Sequence, residues 1–403
     1  MIWTFSTHNT KGAEMSYGQA KEFIARHTKL IELTDGGDAR VIVCPEWQGR
    51  VMTSTCGGEN GPSFGFVHCD FIKDGKLNPH FNNYGGEDRM WLSPEGGQFS
   101  LWFKPGDEQD LSNWFTPKSL NEGGWEIVSD SNDQCCRMAT QVKCQNASAT
   151  EFDLAVSRDV KLVDRVELEK MFGDDVEELV TENGAKMVGY ETVNSITNNG
   201  RPMSKDDGLV SIWILGMLNA SPETVIIVPY KSGVEEQLGP TVKSDYFGII
   251  PAGRLKITPD AILLKGDSKF RSKIGTSQRR TKNVLGSIDF KNGVLTIVSF
   301  TMPEDPTKHD YMNNMWNVPQ SKPYVGDVAN CYNDGPTAPG QKGLGEFYEI
   351  ESLSPAVALK TKESLKHSHR TIHIQADMPT LVKLAKLALG VNLEKIRTEM
   401  ATQ

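Results

Sequence analysis

The chain has 403 residues, with 43 lysines and arginines against 52 aspartates and glutamates, a net charge of −9. That balance argues against an electrostatic nucleic-acid binder, which carries a basic face or stripe. The densest basic run, Arg279-Arg280-Thr281-Lys282, is short, lacks interleaved aromatics and reads as a solvated loop.

Residues 1–8 show no basic segment followed by an apolar one, and no stretch reaches the ~18 uninterrupted apolar residues of a membrane helix. The expectation is a soluble chain with no membrane partner, cytoplasmic by default and periplasmic or exported if a leader was trimmed from a natural precursor. Residues 16–27 place Ala20, Phe23, Ile24 and His27 on one stripe behind a serine suited to capping, which predicts a helix. Strands follow at 39–44 and 125–128, and the acidic stretch 170–183 has room for one more short helix. Further strands are expected at 185–196, 210–218, 224–230, 287–290, 294–300, 347–353 and 370–375. Between them stand the turn pairs Asn199-Gly200, Asp207-Gly208, Asn292-Gly293 and Asp334-Gly335. Residues 378–400 open with Pro379 and repeat apolar groups at Leu381, Leu384, Ala385 and Ala388, predicting a C-terminal helix that Gly390 interrupts. Many short strands without βαβ alternation imply an all-β architecture of antiparallel sheets packed face to face. With no repeat or linker, one domain over 1–403 is expected. Seven cysteines without a CxxC pair give no disulfide framework and predict reduced, mostly buried thiols.

The densest chemistry lies at 85–103, beginning Gly85-Gly86-Glu87-Asp88-Arg89-Met90-Trp91 and reaching Trp102. Three carboxylates, a guanidinium, two indoles and two glycine pairs within nineteen residues suit a carbohydrate site. Hydroxyls take bidentate polar contacts, C–H faces pack on aromatic rings, and glycines admit a ligand close to the backbone. The plainer alternative is a β-hairpin with Trp91 and Trp102 in a core and the charges in water.

Pro45-Glu46-Trp47-Gln48-Gly49-Arg50-Val51, residues 85–94, residues 190–229 with Trp213-Ile214-Leu215, and Tyr348-Glu349-Ile350-Glu351 follow one another in an order that resembles the galactose mutarotase-like superfamily. They are similar, in turn, to its early hairpin, its Gly-Gly segment, its central long strands and its late glutamate-bearing strand. Gly85–Trp91 combined with Gly326-Asp327-Val328-Ala329-Asn330-Cys331-Tyr332-Asn333-Asp334-Gly335 looks like an uncharacterised bacterial family within that superfamily. The resemblance implies a β-supersandwich whose concave sheet face binds a carbohydrate ligand. It does not fix an activity, because mutarotases, other epimerases, lyase domains and non-catalytic domains share that fold.

Mutarotation needs a base for the anomeric hydroxyl and an acid for the ring oxygen. In the resembled enzymes a late-strand glutamate is the base, which points to Glu351 or Glu349. The two are two residues apart on one expected strand and so share a face, and Glu351 is slightly favoured. A solvated or salt-bridged pair is the structural alternative. The family's two histidines are absent: Tyr84 stands before Gly85-Gly86, and Leu215 ends the Trp-x-His position. His80 is a catalytic substitute, with Asp334 or Tyr84 as others, although His80 also fits a polar loop. Arg89 and Arg50 suit a bidentate grip on a hydroxyl or acidic substituent, with a structural salt bridge the better reading of Arg50. Glu87 and Asp88 would face opposite ways if extended, so one of them can line a site. Trp91 and Trp316 are candidate stacking groups, and Asn330, Tyr332 and Asp334 share a parity suited to hydroxyl recognition. His367, His369 and His373 also share a parity, but no cysteine is near and the closest carboxylates, Glu363 and Asp377, flank the group rather than alternate with it, so they read as a solvated strand edge rather than a zinc site. No metal or cofactor is expected, and the oligomeric state is not indicated. Three functions fit: an aldose 1-epimerase-like isomerase, a non-catalytic carbohydrate-binding protein, and, least well, a polysaccharide lyase.

Overall fold

The computed structural model describes residues 15–401 apart from 129–130, 174–175, 177–180, 182–183 and 339. Its strands, in chain order, are β1 (Ile31–Thr34), β2 (Arg40–Cys44), β3 (Arg50–Thr55), β4 (Arg89–Ser93), β5 (Glu126–Ile127) and β6 (Cys135–Gln145). Then come β7 (Glu151–Leu162), β8 (Lys186–Asn198), β9 (Ser211–Asn219), β10 (Thr224–Pro229), β11 (Leu255–Ile257) and β12 (Ala261–Lys265). The last are β13 (Ser272–Ser277), β14 (Val284–Asp289), β15 (Val294–Phe300), β16 (Asp327–Asn333), β17 (Phe347–Leu353) and β18 (Ser364–Gln375). They form a three-stranded sheet β1-β2-β3, a five-stranded sheet β13-β16-β17-β9-β4 and a ten-stranded sheet β11-β12-β10-β14-β15-β18-β8-β7-β6-β5. The named strands pair antiparallel, as expected of an all-β chain whose turns are Asn-Gly and Asp-Gly pairs.

The strands missing from the sequence expectation, β6 and β7 above all, have polar residues on the face that the core does not use. Their burial alternates, with Cys136, Met138 and Val142 inward and polar neighbours outward, which is a half-covered strand rather than a continuous apolar run. The expected helices form at Tyr17–Ala25, where Ser16 and Gln19 make a reciprocal capping box, and at Met378–Leu389. Gly390 adopts φ 72° and ends the latter before a second helix, Leu393–Ala401. His27, placed by periodicity on the apolar stripe, is exposed beyond the end of its helix. In the acidic stretch a helix runs Arg165–Phe172, earlier than expected, and most of 174–183 lies outside the described residues.

Alternation along β17 and β18 decides what each sheet face does. Even-numbered Ile372 and Ile374 of β18 join Leu381, Leu384, Leu389 and Ile396 in an apolar layer beneath the C-terminal helices. Odd-numbered His367, His369 and His373 point the other way, into the space between the two large sheets. Even-numbered Tyr348, Ile350 and Ser352 of β17 meet that space from the smaller sheet. Glu349 and Glu351 therefore project from the opposite, outer face of the five-stranded sheet.

The histidine group was expected at a solvated edge, and the structure corrects that. Strand β18 is paired on both sides, by β15 and β8, and each of the three histidines is 1% exposed. Ser352 Oγ lies 2.8 Å from both His367 Nε2 and His369 Nδ1. Burial pushes His367 down to about 3 and His369 down to about 4, so both are neutral imidazoles. The seven cysteines are all free thiols, five of them buried.

Candidate active site on the outer face of the five-stranded sheet

The register across the five strands brings scattered residues onto one face. Glu349 and Glu351 lie opposite Tyr332 and Asn330 of β16 on one side, and opposite Met217 and Leu215 of β9 on the other. Lys273 of β13 lies opposite Tyr332, and Arg89 and Trp91 of β4 lie opposite Leu215 and Trp213. Residues spread over 260 positions of chain thus meet because directly opposed residues in an antiparallel ladder share a face. At Gly275, opposite Asn330, a Cβ would come within 2.5 Å of the Asp327 carboxyl group, so a side chain there would displace the ends of Asp327 and Asn330.

Two ion pairs lie at the centre. Arg89 donates from Nη2 to Glu349 Oε1 at 2.9 Å, and Lys273 donates from Nζ to Glu351 Oε2 at 3.1 Å. The same Oε2 accepts the indole N–H of Trp213 at 2.9 Å, while Glu351 Oε1 is buried with no hydrogen-bond partner among the described residues. Glu351 is 0% exposed and Glu349 6%. A third carboxyl, Glu95, accepts from Trp114 Nε1 at 3.0 Å and from Trp316, and it is close enough to feel Lys273 and Glu351. Three carboxyls against two cations leave one negative charge in excess, and burial of unbalanced charge favours protonation. Burial pushes Glu349 up to about 7; Arg89 opposes the shift and the neighbouring Glu351 adds to it. Burial likewise raises Glu95. For Lys273 burial acts against the charge, but Glu351, Glu95 and Glu349 outweigh it and hold the ammonium above its ordinary value.

Aromatic rings enclose these charges. The Arg89 guanidinium lies 4.4 Å over Trp91 and 5.0 Å over Phe81, a stacking mode that suits a planar, weakly hydrated cation. Trp91 packs against Trp102, Trp213 and Trp114, and Trp316 stacks on Trp114. On the β13 side, Tyr246 hydrogen-bonds Asp327 and receives Asn330 Nδ2 at 3.1 Å, while Phe247 sits edge-on to Tyr332. Tyr332 donates to Asp334 at 2.7 Å, whose other oxygen accepts Gly345 N–H at 2.8 Å, and burial raises the Asp334 carboxyl.

Of the residues singled out in the sequence, Glu349, Glu351, Arg89, Trp91, Asn330 and Tyr332 share this face, with Trp316 and Asp334 at its border. The remainder are placed elsewhere. Glu87 turns into the space between the sheets, where Oε1 meets His373 Nε2 and Ser54 Oγ, each at 2.7 Å. Asp88 is 0% exposed and paired with Arg158. Contrary to the opposite faces expected of an extended pair, both carboxyls meet the inward face of the ten-stranded sheet, and the chain turns at Gly85 and Gly86, φ 88° and 112°, just ahead of them. Arg50 has no carboxylate partner among the described residues, contrary to the salt bridge expected of it. It donates to the carbonyls of Gly85 and Asn82 at 2.7 and 3.3 Å and lies 5.3 Å from the Tyr84 ring, which itself stacks on Trp47. His80 holds the Trp114 carbonyl through Nδ1 at 2.6 Å and stacks on Phe115, without a described contact to either glutamate.

Sequence reasoning missed Lys273 and Glu95 as site residues and treated Trp213 only as part of a strand. Lys273 carries no local signal, since a lysine between Ser272 and Ile274 is what any half-exposed strand shows. Among the described residues no group of three or more histidines, cysteines or acids is arranged to hold a metal ion, and no helix is long and apolar enough to cross a membrane. Two surface cavities, of about 520 Å³ beside Lys143 and Phe152 and about 350 Å³ beside Asn219 and His373, lie away from the glutamates.

Fold and site together define an all-β protein with a buried acid–base cluster on the outer face of its smaller large sheet. Residues 15–400 match a family of unknown function (DUF6786), and the chain belongs to that family. No curated protein matches. Among solved structures the chain is similar to a putative aldose 1-epimerase from Escherichia coli K12, with 13% identity over 87% of this chain and 99% of that one and a TM-score of 0.49. It is also similar to a galactose mutarotase-like protein from Lactobacillus casei ATCC 334, with 8% identity, 86% and 100% coverage and a TM-score of 0.47. A galactose mutarotase related enzyme from Lactobacillus acidophilus matches at 9% identity, 86% and 97% coverage and a TM-score of 0.45.

Proposed function

We propose that the outer face of the five-stranded sheet is a carbohydrate site and that the protein is an aldose epimerase-like isomerase with Glu351 as base. The observation that carries the reading is Glu351 itself, a fully buried carboxyl with one oxygen held by Trp213 and Lys273 and the other without a partner among the described residues. A free acceptor beside an anchored one is what a positioned base requires. Glu349, two residues away on the same face and pushed up to about 7, is the complementary acid, in place of the histidines absent at Tyr84 and Leu215. In the proposed reaction Glu351 takes the anomeric hydroxyl proton, the ring C–O bond breaks to the open aldehyde, and Glu349 gives its proton to the ring oxygen. Rotation about the C1–C2 bond and reclosure, with the proton transfers reversed, yields the other anomer and restores both carboxyls. Trp316, half-buried at the border of the face, offers an apolar surface to a sugar ring, whereas Trp91 and Trp213 are buried behind it. Because Glu351 is 0% exposed, entry requires the groups packed around it, among them Trp213 and Lys273, to move.

A monosaccharide screen by thermal shift, followed by anomer-exchange NMR on each hit, tests this. A stabilising sugar with accelerated exchange supports the isomerase. Stabilisation without acceleration favours a non-catalytic carbohydrate-binding protein, a reading that the missing histidines also favour, and no stabilisation removes both.

A further inference from the structure

The cavity of about 350 Å³ lies on the inner side of β9 and β17, behind the strands that carry the glutamates. Its polar groups are built in rather than incidental. His373, 1% exposed, is fixed by Glu87 Oε1 at 2.7 Å and Thr296 Oγ1 at 2.9 Å, and its ring stacks 4.4 Å from Phe64. Asn219 gives its amide hydrogens to the carbonyls of Ser63 and Gly65 at 2.8 and 3.0 Å, and its buried Oδ1 has no donor among the described residues. Glu87 Oε2, behind His373, also has no donor among them. Tyr348 lines the wall with its hydroxyl on Ser287, and Asp289 stands at the side, bound by Ser221 and Asn292.

We propose that this cavity is a second binding site, separate from the glutamate face, for a small neutral polyol or monosaccharide. An acceptor waiting for a donor calls for a hydroxyl, and the flat Phe64 ring suits a C–H face. The lining contains no lysine or arginine and does contain Asp289, so an anion finds no counter-charge. The volume is at the small end of ligand pockets, roughly 300–1,000 Å³, which excludes a long glycan.

Saturation-transfer NMR titrations with erythritol, xylitol and D-galactose test it, with D-glucuronate as the anionic control. The expected result is saturable binding of at least one neutral probe, weakened tenfold or more by Ala220→Trp, which fills the cavity, and unchanged by Trp316→Ala on the glutamate face. Should Ala220→Trp fail to fold, Asn60→Trp at the exposed rim serves the same purpose. Binding that survives the cavity variant overturns the second site, and its loss with Trp316→Ala assigns the signal to the glutamate face. No saturable binding of any of the three, or glucuronate binding as tightly as they do, also overturns it.

Discussion

Glu349 and Glu351 illustrate how two identical side chains on one strand acquire different surroundings. Glu351 keeps two donors on one oxygen and, among the described residues, none on the other, whereas Glu349 shares a single guanidinium and is pushed up to about 7. Glu351→Gln, which keeps the shape and the Trp213 contact but removes the base, should abolish anomer exchange while leaving sugar affinity within a few-fold; unchanged exchange would remove Glu351 from the mechanism. For Glu349 as acid, turnover should fall as pH rises through about 7, and that limb should vanish in Glu349→Gln. A pH–rate profile on both proteins reads this directly, and an unaltered limb in the variant would assign it to another group. Glu349 and Glu351 were legible in the sequence as a pair sharing a face by strand parity, and Arg89 and Trp91 through the density of functional groups at 85–103. Lys273 and Glu95 were not, since nothing local distinguishes a buried lysine from an exposed one.

Strand β18 contributes to the pH response of stability. The unfolded chain binds a proton at His367 and at His369 below about pH 6.5, whereas the folded chain holds out until about 3 and about 4. Stability contributed by these neutral histidines is therefore present above pH 6.5 and lost as pH falls through that window. Glu349 acts in the opposite sense. Its folded carboxyl keeps the proton up to about 7 while the unfolded one releases it near 4.5, so its contribution is lost as pH rises between those values. Glu95 and Asp334, also raised by burial, act with Glu349, so the histidine contribution is read by difference. The change in urea midpoint from pH 4.5 to 6.5 should be less positive in His367→Gln combined with His369→Gln than in the unaltered chain, and an identical change in both would remove the histidines from the pH response. The parity that aligned these histidines was visible in the sequence, but their burial was not, because only the pairing of β18 with both β15 and β8 takes it away from the sheet edge.

At the scale of the molecule, the two large sheets are joined by polar groups as well as by the apolar core. Asp88 pairs with Arg158, which also reaches the Gly49 carbonyl at 2.9 Å and Asn194 Oδ1 at 2.6 Å. Both members are 0% exposed, so Asp88→Ala leaves a buried guanidinium without its counter-charge. Breaking such a pair costs about 3–5 kcal/mol, and chemical denaturation should show a loss of that order. A loss under 1 kcal/mol would mean that Asn194 and the carbonyls alone support Arg158. The sequence places Asp88 in a dense motif suggestive of ligand contact, whereas in the fold it ties the segment ahead of β4 to β7.

The sequence by itself determined the all-β class, the N-terminal cap and the break at Gly390, because turn chemistry, capping and strand periodicity are local properties of consecutive residues. It also determined that Glu349 and Glu351 share a face, since alternation is built into the extended backbone. Tertiary structure alone decided which face that is, which charges meet there, and that Glu87, Asp88 and the histidines of β18 belong to the interior. Those outcomes depend on strand order and register, which bring Arg89, Lys273 and Glu351 together from three distant segments and remove them from water. Desolvation and charge proximity, the quantities that give a carboxyl its chemistry, exist only once that arrangement has formed.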